Sequence, residues 1–422
     1  MKVAFYSACL ADAGRFRFPW SFAILISIAG LVASAQAERW SSLVAGGPLE
    51  LTLLEPTWTE GDTPVSVVFY LKNLAAPRIG TESDEVLIAE SRAAGSLVVV
   101  VDYAGHPQAR VPWINRDLGK LRDDLRAKEI LGTRAIDGAH VFIVPSGCRL
   151  WRDVIFYEDH ARVLAMDIIA PANPKQPLGA LIQFSCDNQN RMGNDSLSIC
   201  SDTILAGAAT DGLAVAMADH PVAAPYKGLD AMPESAWKIK AAVRALRAQS
   251  DKLNLNGRIV SVGFSRGSGM ALMLLSTEGR SEFEGRGRPE YFRESSSVQG
   301  AVVMSGRFSY LNLRPDDPML SRYTQAWGAR YAHADNWMGK GALDFLKLPG
   351  APLFLTINVS ESLDARHQMD ILQQRLCGLG NEYRFVLDEE ARGHKVTLSS
   401  AVLASMHDYI NLRIRPQTVS VY

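Results

Sequence analysis

Between Arg258 and Leu272 the sequence reads R-I-V-S-V-G-F-S-R-G-S-G-M-A-L: an apolar β-type run, a G-x-S-x-G turn and a small-residue helical run. This is the order of a nucleophile elbow, in which a serine stands at the tip of a strand-to-helix turn in a strained backbone conformation. Side chains two residues before and after it would collide there, so Gly263 and Gly267 are required sterically. Ser265 Oγ is then clear of the sheet. The first turn of the helix offers unpaired N–H groups and a positive dipole end to a developing oxyanion.

A serine hydroxyl is a poor nucleophile near neutral pH. It needs a base within hydrogen-bond reach, and the base needs a third group to fix its tautomer. In an elbow enzyme these follow in the order Ser, acid, His. The histidines after the elbow are His333, His367, His394 and His407. His394 closes the polar turn E-E-A-R-G-H between a last strand and a last helix, where the base belongs, whereas His367 and His407 fall inside helical patterns. The acid is expected just after the strand Pro352 to Val359: Glu361 first, with Asp364 as the alternative, although Asp364 could equally cap the helix that follows. One oxyanion donor is expected from the backbone N–H of Arg266. The other is expected from the loop after the strand ending at Phe184, from Ser185 or Cys186. The Arg266 guanidinium either adds to the site or forms a surface ion pair.

These residues need a scaffold, and from Val154 onward strands and helices alternate in the α/β manner. Val154–Tyr157 and Arg162–Ile169 read as an antiparallel pair. Gly179–Phe184, Gly212–Ala218, the elbow strand, Val298–Met304, Pro352–Val359 and Tyr383–Leu387 read as further strands. Helices are expected at Glu234–Gln249, Asp364–Leu376 and from Val396. Residues 45–145 carry strand patterns at Val65–Leu71 and Leu97–Val101 and helical patterns near Asp84–Ala94 and Arg116–Leu131. The stretch from Ser96 to Pro107 echoes that from Gly212 to Pro221; it is either a degenerate half-repeat or a second generic buried strand.

The remaining features bound the setting. Lys2, Arg15 and Arg17, an apolar run Phe22–Val32 and the A-Q-A at 35–37 read as a signal peptide over residues 1–37, which makes the chain secreted or periplasmic with no stable membrane association after cleavage. A net charge of -1 gives no reason to expect a nucleic-acid partner. Metal-type cysteine spacings are absent and no metal is expected. Cys148, Cys186, Cys200 and Cys377 would survive cleavage; pairing Cys186 with Cys200 and Cys148 with Cys377 is one of three connectivities, and free thiols are the other reading.

Taken in order, the strands, G-F-S-R-G, Glu361 and Gly393-His394 resemble the secreted α/β-hydrolase esterases, including feruloyl and acetyl-xylan esterase-like members, over about residues 146–415. The resemblance implies an α/β-hydrolase fold: a mostly parallel eight-stranded sheet with helices on both faces, here with an N-terminal α/β lobe at 45–145 in addition. It implies no cofactor and hydrolysis of a small-molecule or polysaccharide ester through an acyl-enzyme. Glu361 stands where most members have Asp, and F-S-C-D replaces the H-G-G-G loop of many such esterases. Ser265-Arg266 also resembles the elbow of glucuronoyl esterases. Two inserts, 280–297 and 307–350, interrupt this region. The second carries Tyr310, Trp327 and Trp337, which would either stack on a substrate ring or form the insert's own core. A serine peptidase of the same fold and a non-catalytic binding protein are the alternative functions.

Overall fold

The computed structural model describes residues 38–44, 47–57, 65–75, 78–106, 136–160, 162–184, 209, 211–221, 229, 231–346, 350–394 and 398–415. The signal peptide expected at 1–37, the helix expected at 116–131, Ser185, Cys186 and Cys200 lie outside the described residues. Two sheets organise the rest. The first holds β1 (Glu38–Val44), β2 (Gly47–Leu54), β3 (Val65–Lys72), β4 (Leu97–Asp102) and β5 (Ile136–Pro145), in the order β1-β2-β4-β3-β5, with α1 (Asp84–Ala93) crossing from β3 to β4. The second holds β6 (Cys148–Asp159), β7 (Arg162–Pro171), β8 (Leu178–Phe184), β9 (Ala214–Ala218), β10 (Leu255–Phe264), β11 (Gly300–Met304), β12 (Leu353–Asn358) and β13 (Tyr383–Asp388). Its order is β6-β7-β9-β8-β10-β11-β12-β13. β7 runs antiparallel to both its neighbours, and every pair from β9 to β13 is parallel.

The strand sequences follow from this arrangement. β8, β9, β11 and β12 are buried at every position, as parallel strands covered on both faces must be, and so read as continuous apolar runs. One face carries α2 (Glu234–Arg247) and α3 (Arg266–Ser276), with Ala236, Ile239, Val243, Met270 and Leu274 in its core. The other carries α6 (Ser400–Ile414), through Val402, Met406 and Ile410. That second core runs on without a break into Val68, Tyr70 and Phe142 of the N-terminal sheet and Leu87 of α1. In sequence, α4 (Leu320–Trp327) and α5 (Leu363–Leu379) lie between α3 and α6.

The five-stranded sheet repeats the order and strand directions of the first five strands of the large one. In each, two antiparallel strands lead to a strand flanked by one antiparallel and one parallel neighbour, and the fifth strand pairs parallel with the third. The sequence echo therefore falls on topologically equivalent strands, β4 and β9. The two units part company after the fifth strand. β10 turns into α3, whereas β5 passes through Ser146-Gly147 straight into β6.

One sequence expectation is corrected. Cys148 and Cys377 are not bridged: Cys148 is a buried free thiol and Cys377 an exposed one. Cys148 opens β6 inside the core shared with the N-terminal sheet, while Cys377 sits on the solvent side of the last turn of α5. Burial pushes the Cys148 thiol up to about 12, so it stays protonated and packs as a small apolar group.

Candidate active site

β10 has β8 on one side and β11 on the other, and the chain leaves β8 and β10 in opposite directions along the sheet. The crevice beyond the carboxyl ends of β8 and β10 is thus a topological switch point, where open α/β sheets bind ligands. Ser265 stands there, between Phe264 at the end of β10 and Arg266 at the start of α3. Its backbone lies at φ +54, ψ -118, a conformation an L-residue rarely adopts. Hydrogen bonds to β11 and α3 hold it. Its N–H donates to Met304 O at 3.0 Å, and Ser268 Oγ lies 2.5 Å from both Ser265 O and Ser305 O. A Cβ on Gly263 would lie 2.0 Å from Gly267 O, so only glycine fits there.

His394 presents Nε2 to Ser265 Oγ at 2.8 Å. Its Nδ1 faces both oxygens of Glu361, at 2.9 and 3.0 Å. The Glu361 side chain is 1% exposed and that of His394 50%, so the carboxylate is enclosed and the imidazole half-exposed. Phe264 flanks the imidazole, ring centroids 4.7 Å apart. The elements that supply Glu361 and His394 are joined by polar side chains that the sequence reading did not single out. Asn358, at the end of β12, donates to Gly393 O at 2.7 Å, and Gly393 N–H donates to Ser360 Oγ at 2.6 Å. Asp388, at the end of β13, accepts from Glu390 and Ala391 N–H with one oxygen and from Ser399 N–H with the other. The turn that carries His394 is therefore tied to the strand that carries Glu361 and to the start of α6.

Asp364, the alternative acid, is elsewhere. It lies 3.3 Å from an Arg307 amino group, and Arg307 also grips Asp317 through two hydrogen bonds of 2.9 and 3.0 Å. Burial, and then the hydrogen bond and charge of Asp317, push the Asp364 carboxyl up to about 7, while Asp317 is held below the usual range despite its own burial by Arg307 and by the hydrogen bond from Asp364. Ser362, not Asp364, caps α5, accepting from Ala365 N–H at 3.2 Å.

A cavity of about 120 Å³ opens beside Ser265, lined by Arg266, Arg307, Tyr310, Arg322 and Tyr323 among others. Of the aromatics expected to meet a substrate, Tyr310 reaches this wall. Trp327 is half-buried behind it, packed edge-on to Tyr310 at 5.4 Å. Trp337 is a correction: it is fully buried, donates to Gly328 O at 3.1 Å and packs with Tyr323 and Trp327, so it belongs to the insert's own core. The first insert turns to α2 rather than to the site. Glu284 pairs there with Lys240 at 2.7 Å and with Arg244. Among the described residues no group of His, Cys, Asp and Glu could hold a metal ion, and no helix is long and apolar enough to cross a membrane.

No protein-family model matches the chain. No curated protein matches it. Its fold does match solved structures. A truncated carbohydrate esterase from gut microbiota is 18% identical, with a TM-score of 0.52 over 63% of this chain and 95% of that one. A bifunctional GH43-CE protein of Bacteroides eggerthii is 17% identical, with a TM-score of 0.52 over 63% of this chain and 35% of that one. Thermogutta terrifontis esterase 2 phosphonylated by sarin is 13% identical, with a TM-score of 0.51 over 64% of this chain and 97% of that one. What this chain shares with them is the fold, a mixed α/β architecture on which esterases are built.

Proposed function

We propose that the protein is an exported serine hydrolase of α/β-hydrolase fold that cleaves carboxylic esters through an acyl-enzyme, with ester substituents of carbohydrates as its substrate class. The observation that carries this reading is the unbroken hydrogen-bond chain from Ser265 Oγ through the imidazole of His394 to Glu361. Its members have the order and the geometry that the chemistry needs.

In this reading the Ser265 hydroxyl attacks the ester carbonyl and His394 Nε2 takes its proton. Glu361 accepts from Nδ1–H, which fixes the tautomer and stabilises the imidazolium. The carbonyl oxygen becomes an oxyanion held by the backbone N–H of Arg266 at the start of α3, and by a second donor from Ser185 or Cys186. Collapse expels the alcohol, which takes the proton from His394. Water then repeats the sequence on the acyl-serine and releases the acid. The carbohydrate esterase among the fold relatives supports the substrate class, and the sarin adduct of another is consistent with a serine nucleophile on such a fold.

The test is a fluorophosphonate probe with mass mapping, run beside 4-nitrophenyl acetate turnover and a peptide substrate. The expected result is an adduct on Ser265, ester turnover, no peptide cleavage, and a loss of about 10⁴-fold or more in kcat for Ser265→Ala. Folded protein with neither adduct nor turnover would make it a binding protein; peptide cleavage would make it a peptidase.

A further inference from the structure

Glu361 also lines a second and smaller cavity, of about 20 Å³. Among the described residues its wall includes Phe264, Met304, Ser305, Thr356 and Leu398. Two groups in that wall are at odds with their burial. Ser305 and Thr356 are 2% and 1% exposed, and Ser305 Oγ and Thr356 Oγ1 have no hydrogen-bond partner among the described residues. A buried hydroxyl left unpaired is costly, and native proteins seldom keep one. The two residues are neighbours. Ser305 follows β11, and its N–H donates to Thr356 O at 3.1 Å. Thr356 lies two positions after Phe354 on β12, so its side chain takes the same face of the sheet. Phe264, Met304 and Leu398 of the cavity wall belong to the core on that face.

The Glu361 carboxylate has spare capacity of the matching kind. It offers about four acceptor positions. Its donors among the described residues are His394 Nδ1–H and, at 3.3 Å, the N–H of Ser362. One cavity thus brings together two hydroxyls that lack partners and an enclosed carboxylate that can accept further bonds. A single ordered water needs about 10–15 Å³ and about three polar partners, so this cavity holds one. We propose that the cavity is a site for one ordered water, which donates to the Glu361 carboxylate and accepts from the hydroxyls of Ser305 and Thr356. Ser305 and Thr356 are then positioning residues: through the water they keep the carboxylate turned to His394 Nδ1. The consequence for turnover rests on the serine-esterase reading; the presence of the water does not.

Two substitutions at Thr356 and a crystal structure test it. Thr356→Val removes the hydroxyl and keeps the shape of the side chain; Thr356→Ser keeps the hydroxyl and loses the methyl. On 4-nitrophenyl acetate, kcat of Thr356→Val should fall about tenfold with KM changed less than about twofold. Its melting temperature should drop by about 2 °C or more. Thr356→Ser should recover kcat to within about threefold of wild type, and Ser305→Ala should behave as Thr356→Val does. A crystal structure of the wild-type protein should show the water within hydrogen-bond distance of Glu361 and of both hydroxyls. Unchanged kcat and a higher melting temperature for Thr356→Val overturn the proposal, because a methyl in place of an unpaired hydroxyl relieves a burial cost. Well-ordered electron density with no water in the cavity also overturns it. Equal losses of kcat in Thr356→Val and Thr356→Ser assign the effect to packing and overturn the positioning role. If the wild-type protein turns over no ester, the esterase reading falls by itself, and the electron density and the melting temperatures still decide the water.

Discussion

Glu361 and Asp364 are three residues apart, and their surroundings give them opposite properties. Glu361 is enclosed and turned to His394, while Asp364 shares Arg307 with Asp317. Glu361→Gln should therefore reduce kcat by about 10³–10⁴-fold, because an amide neither fixes the tautomer nor stabilises the imidazolium. Asp364→Asn should cost kcat on neutral esters less than about tenfold, since it does not reach the imidazole. Steady-state turnover of both variants checks this, and a larger loss for Asp364→Asn than for Glu361→Gln would move the acid assignment to Asp364. Asp364 should instead appear in stability. Its folded pKa, about 7, lies above its ordinary 3.8, so the native state holds a proton that the unfolded chain has released between those values. Stability from this group is full below about pH 4 and declines as pH rises to about 7. Asn mimics the protonated form, so the melting temperature of Asp364→Asn relative to wild type should rise between pH 5 and pH 8, by about 2 °C or more. A flat difference would sink this account. The sequence offered both carboxylates at the end of one strand. It could not separate them, because what separates them is a histidine 33 residues after Glu361 and a guanidinium 57 residues before Asp364.

At the scale of elements, the elbow was legible and its supports were not. Gly263 is readable because the clash it avoids is local: four residues separate it from Gly267 O, 2.0 Å from where its Cβ would be. Gly263→Ala must displace backbone, and a loss of about 3 kcal/mol or an insoluble protein is expected in thermal melts. The clamp on the His394 turn joins the end of β12 to Gly393 across 35 residues, through an Asn and a Ser that look like ordinary loop polarity in sequence. Asn358→Ala releases Gly393 O and loosens the imidazole without touching it. Its expected effect is a fall in kcat of about 10–100-fold with KM little changed. A change in KM alone would make Asn358 part of substrate binding instead. The strands β2 and β5 were hidden for a different reason. β2 buries Leu49, Leu51 and Leu53 and exposes Glu50, but it is a short run opened by Gly47-Pro48, and β5 opens on Ile-Asp-Gly. In the second insert, the tryptophan and tyrosine content was visible, but which ring faces the cavity depends on how the insert folds on itself.

For the whole molecule, the repeated sheet gives two equivalent strand ends, of which only that of β10 carries a Ser-His-Glu hydrogen-bond chain among the described residues. β10 ends in Gly-Phe-Ser-Arg-Gly and opens into a helix; β5 ends at Pro145 and meets β6 after two residues. Ser146 thus stands where Ser265 stands in the other unit, but a carboxylate occupies it rather than an imidazole. Asp84 accepts from Ser146 Oγ at 2.9 and 3.0 Å, from Tyr70 Oη at 2.7 Å and from Gly147 N–H at 3.1 Å, with Arg78 at 3.2 Å. A serine donating to a carboxylate is pinned, not activated, and here it locks the turn through which the chain passes from one sheet to the other. Burial alone would raise the Asp84 carboxyl, but the hydrogen bonds from Tyr70 and Ser146 and the Arg78 charge outweigh it and hold it below its ordinary 3.8. Asp84→Ala would leave these donors around an empty acceptor position, at a cost of about 3 kcal/mol or more, a fall in melting temperature of about 6–12 °C. Because the folded pKa is depressed, this stabilisation is present above about pH 4 and is lost as pH falls through the folded value. The gap in melting temperature between wild type and Asp84→Ala should accordingly be widest near neutrality and narrow as the pH is lowered below about 4. A gap that stays open in acid would mean that the joint is held by packing of the shared core and not by the ionised carboxylate.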